Sequence, residues 1–100
     1  MRKRSKFELY GDILEAIQED ISKNRSARLT RVYSKSNVAY DRFKGYISDL
    51  QRNSLIEIVE VDDHAEISLT KRGLEYIEEY TRVNNFLIAF GLQKKVEEKE

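Results

Sequence analysis

Basic side chains, which can bind phosphate groups, are the residues with the clearest chemical potential in this sequence. Residues 1–52 contain 12 basic and 7 acidic residues, whereas residues 53–100 contain 6 and 11, so a net charge of zero divides into +5 and −5. We therefore expect the first half to attract phosphate and the second half to repel it. The basic residues of the first half include Lys23, Arg25, Arg28, Arg31, Lys35, Arg42, Lys44 and Arg52, and an N-terminal arm containing Arg2, Lys3, Arg4 and Lys6.

The residue types that enzymes use are scarce in this chain. It contains no cysteine and a single histidine, His64, which excludes thiolate nucleophiles, disulfides and cysteine-based zinc sites. There is no glycine-rich phosphate loop, and 100 residues leave little room for an enclosed pocket. Asp62, Asp63 and Glu66 lack the spacing of an EF-hand calcium loop. We expect no enzymatic activity, no cofactor, no metal ion and no small-molecule ligand.

The sequence has no pattern typical of a targeting or membrane segment. Glu8, Asp12 and Glu15 follow the basic start, so no apolar stretch completes a signal peptide. The longest apolar run covers residues 86–90, whereas a helix that spans a membrane needs about 20 apolar residues. The sequence predicts a cytoplasmic protein that does not enter the membrane.

Apolar spacing and capping residues predict four helices and a hairpin. Ser5 with Glu8 three residues later has the pattern of a capping box, and Thr30 and Thr70 are placed to cap two later helices. β-Branched residues on both sides of a turn at 62–64 predict two strands. The predicted elements, in chain order, are a helix over 5–20, a polar break over 22–26, a strand stub over 27–29, helices over 30–35 and 39–53, strands over 55–61 and 66–69, and a helix over 70–90 that ends at Gly91.

This order of elements is that of a winged helix-turn-helix, a mainly α fold with a small β-hairpin (α+β). The segment Leu69-Thr70-Lys71-Arg72-Gly73 resembles the L-T-x-x-G step that opens the last helix of many such regulators. The basic opening over 2–14, together with residues 30–33 and 37–40, resembles the archaeal "ten-a" winged-helix proteins and the related ArnR-like regulators. The resemblance covers about residues 2–90. It implies a homodimer, joined through the long last helix, that binds double-stranded DNA as a transcription regulator or nucleoid protein.

The chain departs from this family pattern at both ends of the third helix. Ala39 stands where the family commonly has Ser, and Ser54 stands where it has Gly before the wing. Loss of an N-cap side chain costs about 1 kcal/mol, part of which Asp41 can recover through the helix dipole. Without Gly at position 54, either Asn53 or Ser54 must adopt the left-handed conformation.

The third helix is expected to enter the major groove of DNA. With Phe43 and Leu50 pointing inward, a helical wheel points Lys44, Gly45 and Ser48 outward, together with Asp41 and Arg52. Lys and Arg can donate to guanine or phosphate, Ser can contact either kind of base, and the start of helix two can bind phosphate. The candidate DNA-binding residues are Arg2, Lys3, Arg4, Arg28, Thr30, Arg31, Lys35, Tyr40, Lys44, Ser48 and Arg52.

The predicted wing is acidic. Between Leu55 and Leu69 there is no Lys or Arg, and the acidic residues are Glu57, Glu60, Asp62, Asp63 and Glu66. We expect DNA to repel this wing, which then stays solvated or meets a basic partner. His64 is expected to be an exposed, inert turn residue.

The last helix carries an apolar stripe with the 4-3-4-3 spacing of a coiled coil, widened by Phe86 and Ile88. Leu74 and Ile77 are expected to close the domain core. The alternative to a dimer is that this helix folds back and buries residues 86–90 against Leu9 and Ile13. The predicted dimer interface contains Tyr76, Tyr80, Val83, Phe86, Leu87 and Phe90.

The sequence thus predicts four segments: a basic arm (1–6), a winged helix-turn-helix domain (7–73), a dimerisation helix (74–91) and a frayed tail (92–100). The leading hypothesis is a dimeric, nucleoid-associated protein that reads DNA sequence and regulates transcription. Two alternatives stay open: an adaptor that binds proteins through the acidic wing or the last helix, and an architectural nucleoid protein. Zero net charge disfavours indiscriminate coating of DNA.

Overall fold

The chain folds into four helices and one three-stranded antiparallel sheet. A computed structural model describes residues 5–92, and the sheet order is β1-β3-β2. The elements are α1 (Lys6–Asn24), β1 (Ala27–Arg28), α2 (Leu29–Ser36), α3 (Tyr40–Arg52), β2 (Ile56–Val61), β3 (His64–Leu69) and α4 (Lys71–Ala89). This architecture confirms the predicted fold class. The arm residues Arg2, Lys3 and Arg4, and the predicted tail beyond Leu92, lie outside the described residues.

Helix α1 begins as predicted and ends later than predicted. Ser5 accepts a hydrogen bond from the Glu8 N–H at 3.1 Å, and Glu8 accepts one from the Ser5 N–H at 3.0 Å, which completes the capping box. The helix continues through the polar segment 22–24 and ends at Arg25, whose φ of 68° is left-handed. Side-chain contacts between residues four positions apart stabilise this last turn. One is the hydrogen bond that the Asn24 side-chain amide donates to Asp20 Oδ1 at 2.6 Å.

The prediction that Thr30 caps α2 is wrong. The N-cap is Arg28, which makes no capping bond with its side chain, and the helix starts at Leu29. Asp20, at the end of α1, replaces a local cap, because its carboxylate accepts the Arg28 N–H at 3.0 Å and lies beside the positive end of α2. Thr30 is exposed in the first turn.

Asp20 is therefore a buried carboxylate that joins three elements. It is 2% exposed and accepts hydrogen bonds from the Arg28 N–H, from Asn24, and from the Arg31 Nε at 2.9 and 3.0 Å. Arg31 also donates to the Ser26 carbonyl at 3.1 Å. Burial alone would raise the pKa of Asp20, but these hydrogen bonds and the Arg31 charge together lower it.

We expect Asp20→Asn to lower the free energy of unfolding by about 2 kcal/mol at pH 7, because the buried hydrogen bonds lose their charged acceptor. The folded-state pKa of Asp20 is lowered, so its contribution is complete above the unfolded pKa of about 3.9 and is lost as the pH falls through the folded value. Urea denaturation from pH 7 to pH 2.5 measures this. The difference in unfolding free energy between wild type and Asp20→Asn should shrink below about pH 4.

Glu19→Gln is the matched control, because Glu19 is the neighbouring residue and its ion-pair partners within residues 5–92 are the exposed Lys23 and Lys35. Its effect should stay below about 1 kcal/mol. A deficit for Asp20→Asn that is no larger than that of the control, or that is constant down to pH 2.5, would contradict the role given to Asp20.

The core lies between α1, the sheet and the inner faces of the other helices. Its fully buried side chains include Leu14, Ile17, Val32, Phe43 and Leu50. Ile77 belongs to this core as predicted, but Leu74 is exposed and does not. None of the helices within residues 5–92 is long and apolar enough to cross a membrane.

The start of α4 is fixed to the end of α3. Thr70 caps the helix as predicted, since its hydroxyl accepts the Gly73 N–H at 3.0 Å and donates to the Ser54 carbonyl at 2.7 Å. Ser54, with φ 64°, is the residue that adopts the left-handed conformation. Gly73 faces the Leu55 carbonyl so closely that a Cβ there would lie 2.2 Å from its oxygen. A side chain at position 73 would therefore push α4 away from the wing.

Gly73→Ala and Gly45→Ala are expected to change stability in opposite directions. A Cβ at Gly73 meets a backbone oxygen that cannot yield locally, so we expect a loss of about 2–3 kcal/mol. A Cβ at Gly45 meets nothing within 4 Å, so the better helix propensity of Ala should stabilise the protein by up to about 1 kcal/mol. Chemical denaturation of both variants measures this. Equal effects of the two changes would contradict the close packing at Gly73.

Candidate nucleic-acid interface

Helix α3 presents a polar, mostly exposed face opposite the core. Phe43, Ile47 and Leu50 are buried, and Ala39 is the N-cap without a side-chain hydrogen bond, as its residue type predicts. The exposed residues of this helix are Tyr40, Asp41, Arg42, Lys44, Gly45, Ser48, Gln51 and Arg52. All five residues that the helical wheel points outward are among them.

The first turns of α3 carry two basic side chains that have no acidic partner in the described part of the chain. Within residues 5–92, neither Arg42 nor Lys44 forms an ion pair. The Lys44 Nζ lies 5.3 Å from the centre of the Tyr40 ring, and that ring packs edge-on against Tyr33 of α2 at 5.2 Å. Among residues 5–92, no acidic side chain therefore competes with an outside anion for these two charges at the N-terminal part of α3.

The last turn of α3 is different, because its basic residue is paired. Asp49 accepts hydrogen bonds from the Tyr10 hydroxyl at 2.8 Å and from the Arg52 guanidinium. Arg52 is exposed as predicted, but its charge is partly neutralised by its own helix.

The predicted phosphate contacts of α2 and β1 are unequally available. Arg31 is turned inward to Asp20, and Lys35 lies 3.5 Å from Glu19, which also pairs with Lys23. Arg28 and Thr30 are exposed, and Arg28 lies opposite Glu66 in the sheet. The hydrogen bond from Lys23 lowers the pKa of Glu19, and the positive charges of Lys23 and Lys35 lower it further. That these residues contact DNA stays a prediction.

The wing is a two-stranded hairpin with an acidic, exposed tip. Asp62 and Asp63, with φ of 48° and 68°, form a two-residue turn that pairs Val61 with His64. His64 is not an exposed turn residue, because it begins β3 and its Nε2 lies 2.9 Å from Glu66. No group of three or more acidic or histidine side chains in the described part of the chain could hold a metal ion.

The first half of α4 packs against α1 through two tyrosines that we predicted for the dimer interface. Tyr80 is 1% exposed, its ring lies against Gly11 and Phe7, and its hydroxyl donates to Asp12 at 2.6 Å. Burial raises the pKa of Tyr80, and the hydrogen bond to Asp12 raises it further. The prediction of Tyr80 as an interface residue is therefore wrong, because its side chain is buried within its own chain.

Tyr76 is half-buried in the same contact. Its hydroxyl donates to the Phe7 carbonyl at 2.9 Å, and its ring centre lies 5.5 Å from that of Phe7. Burial, and then the charge of the Tyr10 phenolate that forms at high pH, raises the pKa of Tyr76 to about 12.

The second half of α4 exposes large apolar side chains. Phe86 is 56% and Phe90 67% exposed, and their rings pack together with centres 4.7 Å apart. The alternative in which residues 86–90 fold back onto Leu9 and Ile13 is therefore wrong. Ile88 is 54% exposed but lies two residues from Phe86, so it faces another side of the helix and cannot widen the same stripe.

Sequence reasoning missed two residues of this surface. Arg42 was counted in the basic stretch but not chosen as a DNA contact, although its exposure and its lack of an ion pair within residues 5–92 match those of Lys44. Asp49 was not chosen because its partner Tyr10 is 39 residues away, and no local pattern connects them.

Comparisons with known proteins agree with this architecture. A family model described as winged helix-turn-helix matches residues 3–87. No curated protein matches the chain.

Several solved structures share the fold. Sso10a-2, described as a DNA-binding protein from Sulfolobus solfataricus, has a TM-score of 0.67 at 21% identity and covers 88% of this chain and 90% of its own. AF1382 from Archaeoglobus fulgidus has a TM-score of 0.65 at 16% identity, covering 83% and 88%. A mutant of MepR from Staphylococcus aureus, bound to an oligodeoxyribonucleotide, has a TM-score of 0.68 at 15% identity, covering 91% and 67%.

Proposed function

The chain belongs to the winged helix-turn-helix family, and we propose that it is a homodimeric transcription regulator that binds double-stranded DNA with α3 in the major groove. The observation that carries this proposal is the exposed face of α3, where Arg42 and Lys44 have no acidic partner within residues 5–92. The thirteen residues of α3 give a helix about 20 Å long. The major groove of DNA is wide enough to admit an α-helix.

The shape of α3 also suits a close approach to DNA. Gly45 lies on the exposed face with nothing within 4 Å of its Cβ position, so the helix backbone can come near the bases. Ser48 follows one turn later and can donate to or accept from a base edge. Tyr40 supports Lys44 and offers its hydroxyl to a phosphate.

The structural neighbours support the same function. Sso10a-2 is described as a DNA-binding protein, and the MepR mutant is bound to an oligodeoxyribonucleotide. The finer assignment to the archaeal "ten-a" and ArnR-like regulators, and association with the nucleoid, belong to this proposal. So do contacts from Arg2, Lys3 and Arg4, which precede the described residues.

We expect Arg42→Ala and Lys44→Ala each to weaken binding to DNA by about 3–10-fold at 50 mM salt and to lower the slope of log K against log salt by about 1, because each removes one phosphate contact. Fluorescence anisotropy of a labelled mixed-sequence duplex of about 30 base pairs, titrated at several salt concentrations, measures both quantities.

Arg82→Ala is the matched control, since it removes an arginine from α4 that already pairs with Glu79. We expect less than a 2-fold change for it. If the control loses as much affinity as the two α3 variants, the binding depends on bulk charge and α3 is not the DNA-binding helix.

The dimer is proposed to form through the second half of α4. Val83, Phe86 and Phe90 are exposed at spacings of three and four residues, and Leu87 lies half-buried between them. These spacings suit packing against a second helix, and an antiparallel pairing with a second copy would cover the same residues on both protomers. Two α3 helices would then face one duplex.

Phe86→Glu is expected to raise the dimer dissociation constant by about 1,000-fold, because a symmetric interface contains the change twice and each loss costs about 2 kcal/mol. Sedimentation equilibrium of the purified protein measures this. Ile88→Glu is the control, since it introduces the same charge at a similarly exposed position on another side of α4. A dimer that survives Phe86→Glu but not Ile88→Glu would place the interface on the opposite side.

One observation favours a second candidate, an adaptor that binds a basic protein through the wing. Val59 is exposed on the edge strand β2, between Glu57 and Glu60. If the protein does not bind duplex DNA at 50 mM salt, this function is favoured over the first.

A further inference from the structure

Asp49 lies at the border between the domain interior and the outward face of α3. One carboxylate oxygen, Oδ2, accepts the Tyr10 hydroxyl from α1 at 2.8 Å. The other, Oδ1, accepts the Arg52 Nη2 from the same helix. Each oxygen of this carboxylate therefore has a separate donor, one from the partly buried Tyr10 of α1 and one from the exposed Arg52.

Tyr10 anchors the carboxylate. Its ring packs edge-on against Tyr46 of α3, with centres 5.9 Å apart, so the hydroxyl is held in place. Burial, and then the hydrogen bond to Asp49, raises the pKa of Tyr10, so the hydroxyl stays protonated and donates at neutral pH. Asp49 cannot turn away from Arg52 without losing this bond.

Arg52 is the basic residue that this arrangement affects. Its side chain is 68% exposed, and it lies in the last turn of α3, about 12 Å along the helix from Lys44. In helix-turn-helix proteins the N-terminal residues of the recognition helix contact base edges. A free arginine at the opposite end would mainly contact phosphate, which adds affinity for any sequence.

We propose that Asp49 is a positioning residue that holds Arg52 in an ion pair within α3 and so withholds one sequence-independent phosphate contact from DNA. This inference rests on the proposed DNA-binding function. It predicts that affinity for DNA of arbitrary sequence is kept low by Asp49, and that the residues nearer the start of α3 contribute a larger share of the binding energy. Asp49 acts through Arg52 and does not contact DNA itself.

A cycle of four proteins tests this inference: wild type, D49N, R52A and D49N/R52A, titrated against the mixed-sequence duplex. D49N should make the fall of log K with log salt steeper by about 0.9. Its gain in affinity over wild type should then be about 3.5-fold larger at 50 mM than at 200 mM salt. R52A alone should change the affinity less than 2-fold. Adding R52A to D49N should return the slope to the wild-type value.

D41N is the matched control, because Asp41 lies on the same helix, is exposed, and forms no ion pair within residues 5–92. It removes the same charge without releasing Arg52, so R52A should have the same small effect in its presence and absence. If D49N tightens binding equally with and without R52A, Asp49 acts only by repelling DNA and the inference is wrong. A drop in slope of about 0.9 for R52A alone would overturn it too.

A second measurement separates this inference from the proposed function. Thermal unfolding of the same four proteins without DNA gives the coupling between positions 49 and 52, and Y10F shows whether the Tyr10 hydroxyl strengthens it. Non-additive shifts in Tm support the ion pair even if DNA binding is absent, in which case the proposed function fails. Additive shifts mean that the pair contributes nothing, and the inference fails whether or not wild type binds DNA.

Discussion

The buried carboxylate of Asp20 determines how the helix-turn-helix is assembled. It accepts the backbone N–H of Arg28 and the guanidinium of Arg31, so it joins the end of α1 to β1 and to the first turn of α2. Because a buried charge without partners would be strongly unfavourable, the segment between α1 and α2 must bring these donors to it. This contact fixes the start of α2 beside α1 and β1, and the core side chains of α2 and α3 hold the rest of both helices.

Two close approaches of backbone then set the direction of α4. Gly11 admits the ring of Tyr80, and Gly73 admits the carbonyl of Leu55, so α4 packs tightly on α1 and on the start of the wing. Both contacts involve the first ten residues of this helix. The remaining residues extend past the core, which leaves Phe86 and Phe90 exposed. The apolar end of α4 is thus a consequence of helix length and of the two glycine contacts.

Local patterns predicted the elements well, whereas contacts between distant residues were not predictable. The capping box at Ser5 was identified from Glu8 three residues later, and the cap at Thr70 from its place just before the last helix, so both depend on local sequence. The start of α2 was misplaced because its stabilising group, Asp20, lies eight residues before Arg28. The position of Tyr80 fits the spacing of a coiled-coil stripe as well as it fits a core position. Its contact with Asp12 of α1 shows that its side chain belongs to the core.

Counting charges overestimates the basic surface that is open to an anion. Among the basic residues between positions 23 and 52, an acidic partner within the described residues neutralises Lys23, Arg31, Lys35 and Arg52, whereas Arg25, Arg28, Arg42 and Lys44 have none. Under the proposed function, the four unpaired charges between positions 23 and 52 would give one protomer only a few phosphate contacts from this part of the described chain, and affinity falls with each lost contact. Joining two protomers makes the second binding event intramolecular and multiplies the contacts without adding charge to either chain. In the proposed homodimer, the paired charges of α1–α3 and the apolar end of α4 would be complementary features, since weak contacts by one protomer would make DNA binding depend on the second.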